Sequence, residues 1–205
     1  MAIYNAKKKE IECKIVYYGP ALSGKTTNLI RLHEAFPKYV AADLVSIDTK
    51  GDRTLFFDFL PMGLGKIKGA EVRLHLYTVP GHAKYLSTRK MVLRGADGLI
   101  FVADSIETQR RNNMESLRDL QQNLKEYGRS IYKIPLVLQF NKRDLATRGA
   151  ASLISLEQME KELNGQLKVP SFPASAIRGE GIGPTLKKCL ELTLKSLQKD
   201  LNWAS

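Results

Sequence analysis

A chain of 205 residues with 43% hydrophobic and 26% charged residues has the size and make-up of one globular domain, because domains commonly run to about 100–200 residues and that length buries a sizeable core. Its formal net charge of +11 suits a nucleic-acid or anionic-membrane surface, yet the one tight basic run is Lys7-Lys8-Lys9, without interleaved aromatic residues. Scattered lysines that keep the surface soluble and attract a polyphosphate are the simpler reading. Cys13 and Cys189 lie far apart with no metal-like spacing, which fits a reducing compartment and two small buried side chains. No apolar run nears the roughly 20 residues of a membrane span, and neither signal peptide nor lipidation motif is present. The expectation is a single domain over residues 1–205, cytoplasmic and monomeric, with no nucleic-acid partner and no stable membrane anchor.

Glu10 to Tyr18 alternates loosely and is rich in β-branched and aromatic residues, which predicts a strand. Gly19 to Ser23 reads as a loop and Gly24 to about Phe36 as a helix, stopped by Pro37. Residues 38–53 read as an irregular loop, followed by strands over Thr54 to Leu60 and Val72 to Tyr77 joined by a connection containing Pro61, Gly63, Gly65 and Gly69. The short apolar runs Leu99 to Ala103 and Leu136 to Phe140 have the character of strands buried on both faces of a parallel sheet. Between them Glu107 to Tyr127 is helical, with Met114, Leu117, Leu120 and Leu124 on one core-facing stripe. A helix over 155–163, a strand over Ser171 to Ala174 and a helix from Gly183 to about Leu201 complete the pattern. This order predicts an α/β fold: a doubly wound, six-stranded, mostly parallel sheet with one antiparallel edge strand and about five helices.

"GPALSGKT", Gly19 to Thr26, fits the pattern G-x-x-x-x-G-K-[ST] and sits where the chemistry requires it, after a strand and opening a helix. Backbone N–H groups of Ala21, Leu22, Ser23, Gly24, Lys25, Thr26 and Thr27 in such a loop wrap phosphates with the help of the helix dipole, the Lys25 ammonium bridges phosphate oxygens, and Thr26 can ligate Mg²⁺. "NKRD", Asn141 to Asp144, follows an apolar strand. Its aspartate can accept two hydrogen bonds from the N1–H and N2–H₂ groups of guanine, whereas adenine offers an acceptor at N1 and leaves the carboxylate unpaired. Asn141 can tie this loop to the phosphate loop, the Lys142 stem can cover the base plane, and Ser175, Ala176 and Ile177 of "ASAIRG" complete the base pocket, with the Ala176 N–H facing the base. A polar turn would explain the tetrapeptide alone; it does not explain the three elements together.

These three elements resemble those of the Ras-like small GTPases, over nearly the whole chain. The stretches "IVYYGPALSGKTTNL", "DRTLFFDFLP", "LHLYTVPGHAKY", "RKMVLRGADGLIFVADS" and "QFNKRDL" are similar to those of the bacterial MglA family of mutual gliding-motility GTPases. That resemblance implies a GTP-hydrolysing switch with GTP or GDP as ligand and Mg²⁺ as cofactor, controlling polarity and gliding or pilus-driven motility from a cell pole. It implies a roadblock-domain MglB-like activator and nucleotide-dependent effectors, among them a receiver-domain adaptor. Within it, Thr54 is the first-switch threonine closing on Mg²⁺ and the γ-phosphate, with Thr49 as a competing candidate. Arg53 is an arginine finger supplied in cis, against the plain reading of a solvated loop arginine. Thr78 stands where other GTPases carry the aspartate of Asp-x-x-Gly and can reach a metal-bound water, and Gly81 faces the γ-phosphate. Asp58 reads as a carboxylate on an edge strand facing solvent, or as a group that orients metal-bound water.

Two positions depart from the family pattern, which has glycine third in the phosphate loop and glutamine after the second-switch glycine; here they are Ala21 and His82. Neutral histidine can accept a hydrogen bond from the attacking water but is bulkier than glutamine and changes charge near pH 6.5. The Ala21 methyl points where an arginine finger and the water-positioning residue must meet. Slow hydrolysis without an activator is the expectation, or else a GTP-loaded, poorly hydrolysing adaptor; His82 as a surface residue that merely fills the switch stays open.

Overall fold

The computed structural model describes residues 3–5, 9–48, 56–67, 69–81, 85–148 and 151–200. An eight-stranded sheet runs through it in the order β3-β4-β5-β2-β6-β7-β8, formed by β2 (Glu10–Tyr18), β3 (Val45–Asp48), β4 (Phe56–Ile67), β5 (Ala70–Thr78), β6 (Gly98–Asp104), β7 (Leu136–Asn141) and β8 (Ser171–Pro173), with β1 (Ile3–Asn5) attached to β2. Strands β5, β2, β6, β7 and β8 are mutually parallel, whereas β4 is antiparallel to both β3 and β5. Every residue of β6 and β7 is buried, as their unbroken apolar runs predict for strands covered on both faces.

Alternate residues of β2 supply the two layers of core. Ile15 and Tyr17 pack with Leu29 and Leu32 of α1 (Lys25–Ala35) and Cys189 of α6 (Ile182–Asp200). Val16 and Tyr18 pack on the opposite face with Leu93 of α2 (Leu86–Leu93), Leu120 and Leu124 of α3 (Arg110–Glu126) and Met159 of α5 (Leu156–Met159). Both cysteines are fully buried free thiols whose pKa burial pushes up to about 12, in keeping with a packing role. Among the described residues no helix is long and apolar enough to cross a membrane.

The doubly wound architecture is the one expected, with two strands more than six. Strand β3 lies inside residues 38–53, which the sequence reads as an irregular loop; it pairs Val45 with Phe59 through Asp48 with Phe56 and takes the sheet edge, so β4 is an inner strand. Strand β4 also continues through Pro61, Gly63 and Gly65, which read as a connection. Pro61 is tolerated because its carbonyl accepts from Ala41 on the side away from β5; in an antiparallel ladder a residue's N and O point the same way, so the missing N–H subtracts no bond from the β4–β5 pair. Helix α2 is the fifth helix the element order requires between the strands at 72–77 and 99–103, for which no bounds were set, and the short α4 (Leu145–Arg148) was not anticipated. The helix expected over Glu107 to Tyr127 opens as a 3-10 turn, Glu107–Gln109, before α3, and the one expected over 155–163 starts with the Ser155 hydroxyl accepting from Gln158 N and widens into a π-turn at Glu160–Asn164.

Candidate functional site

The Gly19–Thr26 loop leaves the C-terminal end of β2 and feeds α1, the place where an open parallel sheet offers a crevice. Gly24 stands before the helix with φ +100° and ψ 22°, and a Cβ there would lie 2.2 Å from Asn141 Nδ2, so only glycine fits. Leu22 takes φ +61° and is 88% exposed; an uncharged side chain held outward in the left-handed region turns the loop's backbone, not its side chains, inward. Ser23 is fully buried and its hydroxyl has no partner among the described residues.

Lys25 is 6% exposed and its ammonium donates to Gly19 O at 3.0 Å and Pro20 O at 2.6 Å. Burial, and then the Arg89 guanidinium, lower its pKa from 10.5 to about 7, partly offset by the Asp58 carboxylate. A cavity of about 500 Å³ opens above it, walled by Ala21, Leu22 and residues 24–27 on one side and by residues 78–81 and Tyr85 on the other. Gly81 approaches the loop so closely that a Cβ on it would lie 2.2 Å from Ala21 N.

Asp58 is buried at 4% exposure, which overturns the reading of a solvent-facing edge carboxylate. It lies across the ladder from Thr78, one step beyond the Phe59–Tyr77 pair, and β4 buries Asp58, Leu60 and Met62 in alternation. Its Oδ2 accepts from Thr26 Oγ1 at 2.6 Å and Thr78 Oγ1 at 2.7 Å, and its Oδ1 accepts from Ser46 Oγ at 2.8 Å. Thr78 Oγ1 in turn accepts from the Asp58 N–H at 3.0 Å. The hydroxyl of Thr78 is thus committed to Asp58, a carboxylate on the neighbouring strand.

The residues expected on the base side are joined by hydrogen bonds. Asn141 donates from Nδ2 to Ser23 O at 2.7 Å and accepts at Oδ1 from Ala176 N at 2.8 Å, linking the phosphate loop to the loop after β8. The Ala176 N–H, expected to face a base, is therefore spent on Asn141. The Ser175 hydroxyl donates to Asp144 Oδ1 at 2.7 Å, with both residues buried. Lys142, at φ +69°, is tethered by its ammonium to Asp104 Oδ2 at 2.6 Å. Ile177 is 56% exposed and contributes its carbonyl, which accepts from Arg31. Sequence reasoning missed Asp104, whose backbone is clamped by both ends of the Asn113 amide; the signal was an aspartate closing an apolar strand. Thr49, Arg53, Thr54 and His82 lie outside the described residues.

A phosphate loop with a buried lysine, and a carboxylate gripping the helix-opening threonine beside a cavity, are the parts of a nucleotide-binding protein. The family described as "ADP-ribosylation factor family" matches residues 54–193. The chain is similar to the mutual gliding-motility protein MglA of Myxococcus xanthus, 47% identical over 199 residues that make up 97% of this chain and 99% of that protein. It is also similar to human ADP-ribosylation factor-like protein 4A, 29% identical over 88% of this chain and 83% of that protein. The chain belongs to the Ras-like small GTPases of the ADP-ribosylation factor family, in the MglA group, whose members bind guanine nucleotides and hydrolyse GTP.

Proposed function

We propose that this single-domain GTPase is a switch for cell polarity and motility that loads GTP with Mg²⁺ in the cavity above Lys25 and recruits effectors in that state. The polarity and motility role rests on the similarity to MglA. The observation that carries the site assignment is Asp58, a buried carboxylate that accepts hydrogen bonds from the hydroxyls of Thr26 and Thr78. With its proton committed to Asp58, the Thr26 oxygen keeps lone pairs for a metal, and the carboxylate would accept from water bound to it. The donor set of a hydroxyl, a carboxylate and phosphate oxygens is what a hard divalent cation takes. Bound Mg²⁺ neutralises charge developing on the phosphate oxygens.

The chain's own residues divide the remaining work. Gly19 and residues 21–27 with Lys25 hold the phosphates, and Gly81 offers its N–H to the γ-phosphate. Asn141, Lys142, Asp144, Ser175, Ala176 and Ile177 form and brace the guanine pocket. Thr54 closes over the metal side, Thr78 positions Asp58 and its water, His82 orients the attacking water and Arg53 neutralises the transferring phosphoryl group. Ala21 and His82 make unassisted turnover slow, and a roadblock-domain MglB-like activator accelerates it. The GTP form engages polarity and motility effectors, a receiver-domain adaptor among them, and the protein moves between cytoplasm and cell pole.

Multiple-turnover phosphate release, with and without a roadblock-domain activator, tests this reading. Arg53→Ala should leave GTP affinity within a few-fold while reducing stimulated hydrolysis by about 10³-fold or more. Tight GTP binding with no stimulated turnover in the parent protein would replace the switch by a constitutively loaded adaptor.

A further inference from the structure

Gln139 is the one polar side chain in the apolar run Leu136 to Phe140, and it is fully buried. Its Nε2 donates to Asn28 Oδ1 of α1 at 3.0 Å and to Thr185 Oγ1 of α6 at 3.3 Å. Asn28 Nδ2 donates in turn to Gly24 O at 2.8 Å, and the Thr185 hydroxyl donates to Gly181 O at 2.6 Å. A chain of three fully buried side chains thus runs from the phosphate loop, under α1 and α6, to the loop that follows β8. The carbonyls at its two ends fix the direction of every bond. Asn28 must present its NH₂ group to Gly24 and Thr185 its proton to Gly181, so both turn an acceptor toward Gln139, whose NH₂ group satisfies the two together.

Stability does not require this chain. Gly24 O also accepts from Asn28 N at 3.0 Å, and Gly181 O from Thr185 N at 3.2 Å, so neither carbonyl depends on a side chain. Gln139 Oε1 is buried with no partner among the described residues, a cost that an apolar side chain of the same shape avoids. What the chain adds is orientation. In a trans peptide the carbonyl and the following N–H point in opposite directions. Gly24 O, held toward α1 by two donors, therefore aims the Lys25 N–H out of the helix and toward the cavity that Lys25 lines. Gly24 sits at φ +100°, and a glycine's backbone has the widest freedom to turn away from such a setting.

We propose, on the reading that places the nucleotide's phosphates above Lys25, that Asn28, Gln139 and Thr185 are positioning residues for the β-phosphate. They act through the Gly24–Lys25 peptide: Asn28 holds the carbonyl, Gln139 holds the Asn28 amide, and Thr185 holds Gln139 against the base-side loop.

Competition against a fluorescent GDP analogue in the presence of Mg²⁺ compares GDP with GMP, which keeps base and ribose but lacks the β-phosphate. The triple variant Asn28→Leu, Gln139→Met, Thr185→Val removes the chain and leaves both carbonyls their backbone donors. Its melting temperature should stay close to the parent's, with GDP affinity weakened by about tenfold or more, the usual scale for losing a group that orients a ligand-holding atom, and GMP affinity nearly unchanged. Thr185 does not line the cavity, so single changes there keep the test usable should the triple variant fold poorly: Thr185→Val should weaken GDP binding a few-fold, and Thr185→Ser, which keeps the hydroxyl, should match the parent. Equal weakening of GDP and GMP would overturn the proposal, because it reports general loosening. So would unchanged GDP affinity in the folded triple variant, or the same loss in Thr185→Ser as in Thr185→Val. A parent protein that binds no GDP would overturn the switch reading as well, so the two failures are distinguishable.

Discussion

The base side and the phosphate side of this site are built on opposite plans. Around the base pocket, Asn141, Lys142, Asp144 and Ser175 are each bonded to a group that belongs to the frame: Ser23 O, Asp104, the Ser175 hydroxyl and Asp144. These bonds brace the two loops against each other and against the phosphate loop. On the phosphate side, the Lys25 ammonium is engaged by carbonyls of its own loop, and Gly81 is packed against Ala21. One N–H of the ammonium remains for a phosphate, and any further bond to Lys25 displaces a loop carbonyl. In the proposed switch the base is read by the braced side and the phosphates by the side where bonds of the loop itself give way, the division of labour a switch needs.

The sharpest way to break this comparison is at Asp144. A pocket built to hydrogen-bond one base rejects an analogue that leaves its polar groups unpaired by about 10⁴-fold or more. Competition against a fluorescent GDP analogue should show that preference for GDP over ADP, and Asp144→Asn should shift it toward xanthine nucleotides. Comparable affinity for ADP and GDP would remove the rigid reader from the argument. A smaller effect is expected on the other side. Asp58→Asn should lower Mg²⁺ affinity by about 10–100-fold, the usual cost of losing a group that holds a metal's ligands, and leave guanine selectivity unchanged. Adding Thr78→Asp returns a carboxylate to the opposing strand and should recover part of the loss. A change in base selectivity in either protein would show that the two sides are not separate.

The same contrast decides what was legible in the sequence. The proposed base recognition is written in contiguous residues, Asn141 to Asp144 and Ser175 to Ile177, near the ends of β7 and β8, so a local pattern suffices to suggest it. Asp58 belongs to no contiguous motif. It acts through a cross-strand pair whose partner is 20 residues away, and the strand carrying it reads as an edge unless β3 is known to lie beyond. One local clue was present: Asp58 shares its period-two face with Leu60 and Met62 while Phe57 and Phe59 take the other, so the carboxylate points with the core residues. Strand β3 was illegible because Val45 to Asp48 is only four residues long and gains its stability from pairing with β4, a long-range term that propensity does not contain. Helix α2 was required by the element order but not bounded by it: it leaves Leu86 and Met91 about 40% and 44% exposed, so its apolar pattern does not single out one buried face.

Turnover sharpens the comparison further, because it depends wholly on the side that rearranges. Ala21→Gly together with His82→Gln should raise the single-turnover rate by roughly tenfold, equivalent to about 1.4 kcal/mol of barrier, with effects that do not add because both residues serve one site. If neutral His82 accepts from the attacking water, the parent rate should also fall as pH drops through about 6.5, while the glutamine protein stays flat. A double variant no faster than the parent would mean that neither departure limits catalysis.

The smallest expected effect, per pH unit, comes from Lys25 itself. Its pKa in the folded protein is lowered from 10.5 to about 7, so between those values the unfolded chain binds a proton that the folded, nucleotide-free protein does not. Stability of the nucleotide-free protein should therefore rise with pH across that window. Phosphate oxyanions favour the charged ammonium and raise the pKa again, so nucleotide binding takes up a proton above pH 7. Affinity should then fall by up to about tenfold per pH unit above 7, until the pKa of the bound state is reached. Calorimetry of GDP binding in buffers of different ionisation enthalpy counts that proton directly, and thermal melts of the nucleotide-free protein supply the opposite trend. General alkaline loosening would lower stability and affinity together. Opposed slopes are the signature of one buried lysine held against its own backbone until a phosphate arrives. Parallel slopes, or affinity flat with pH, would show that Lys25 is already charged and the phosphate side as ready as the base side.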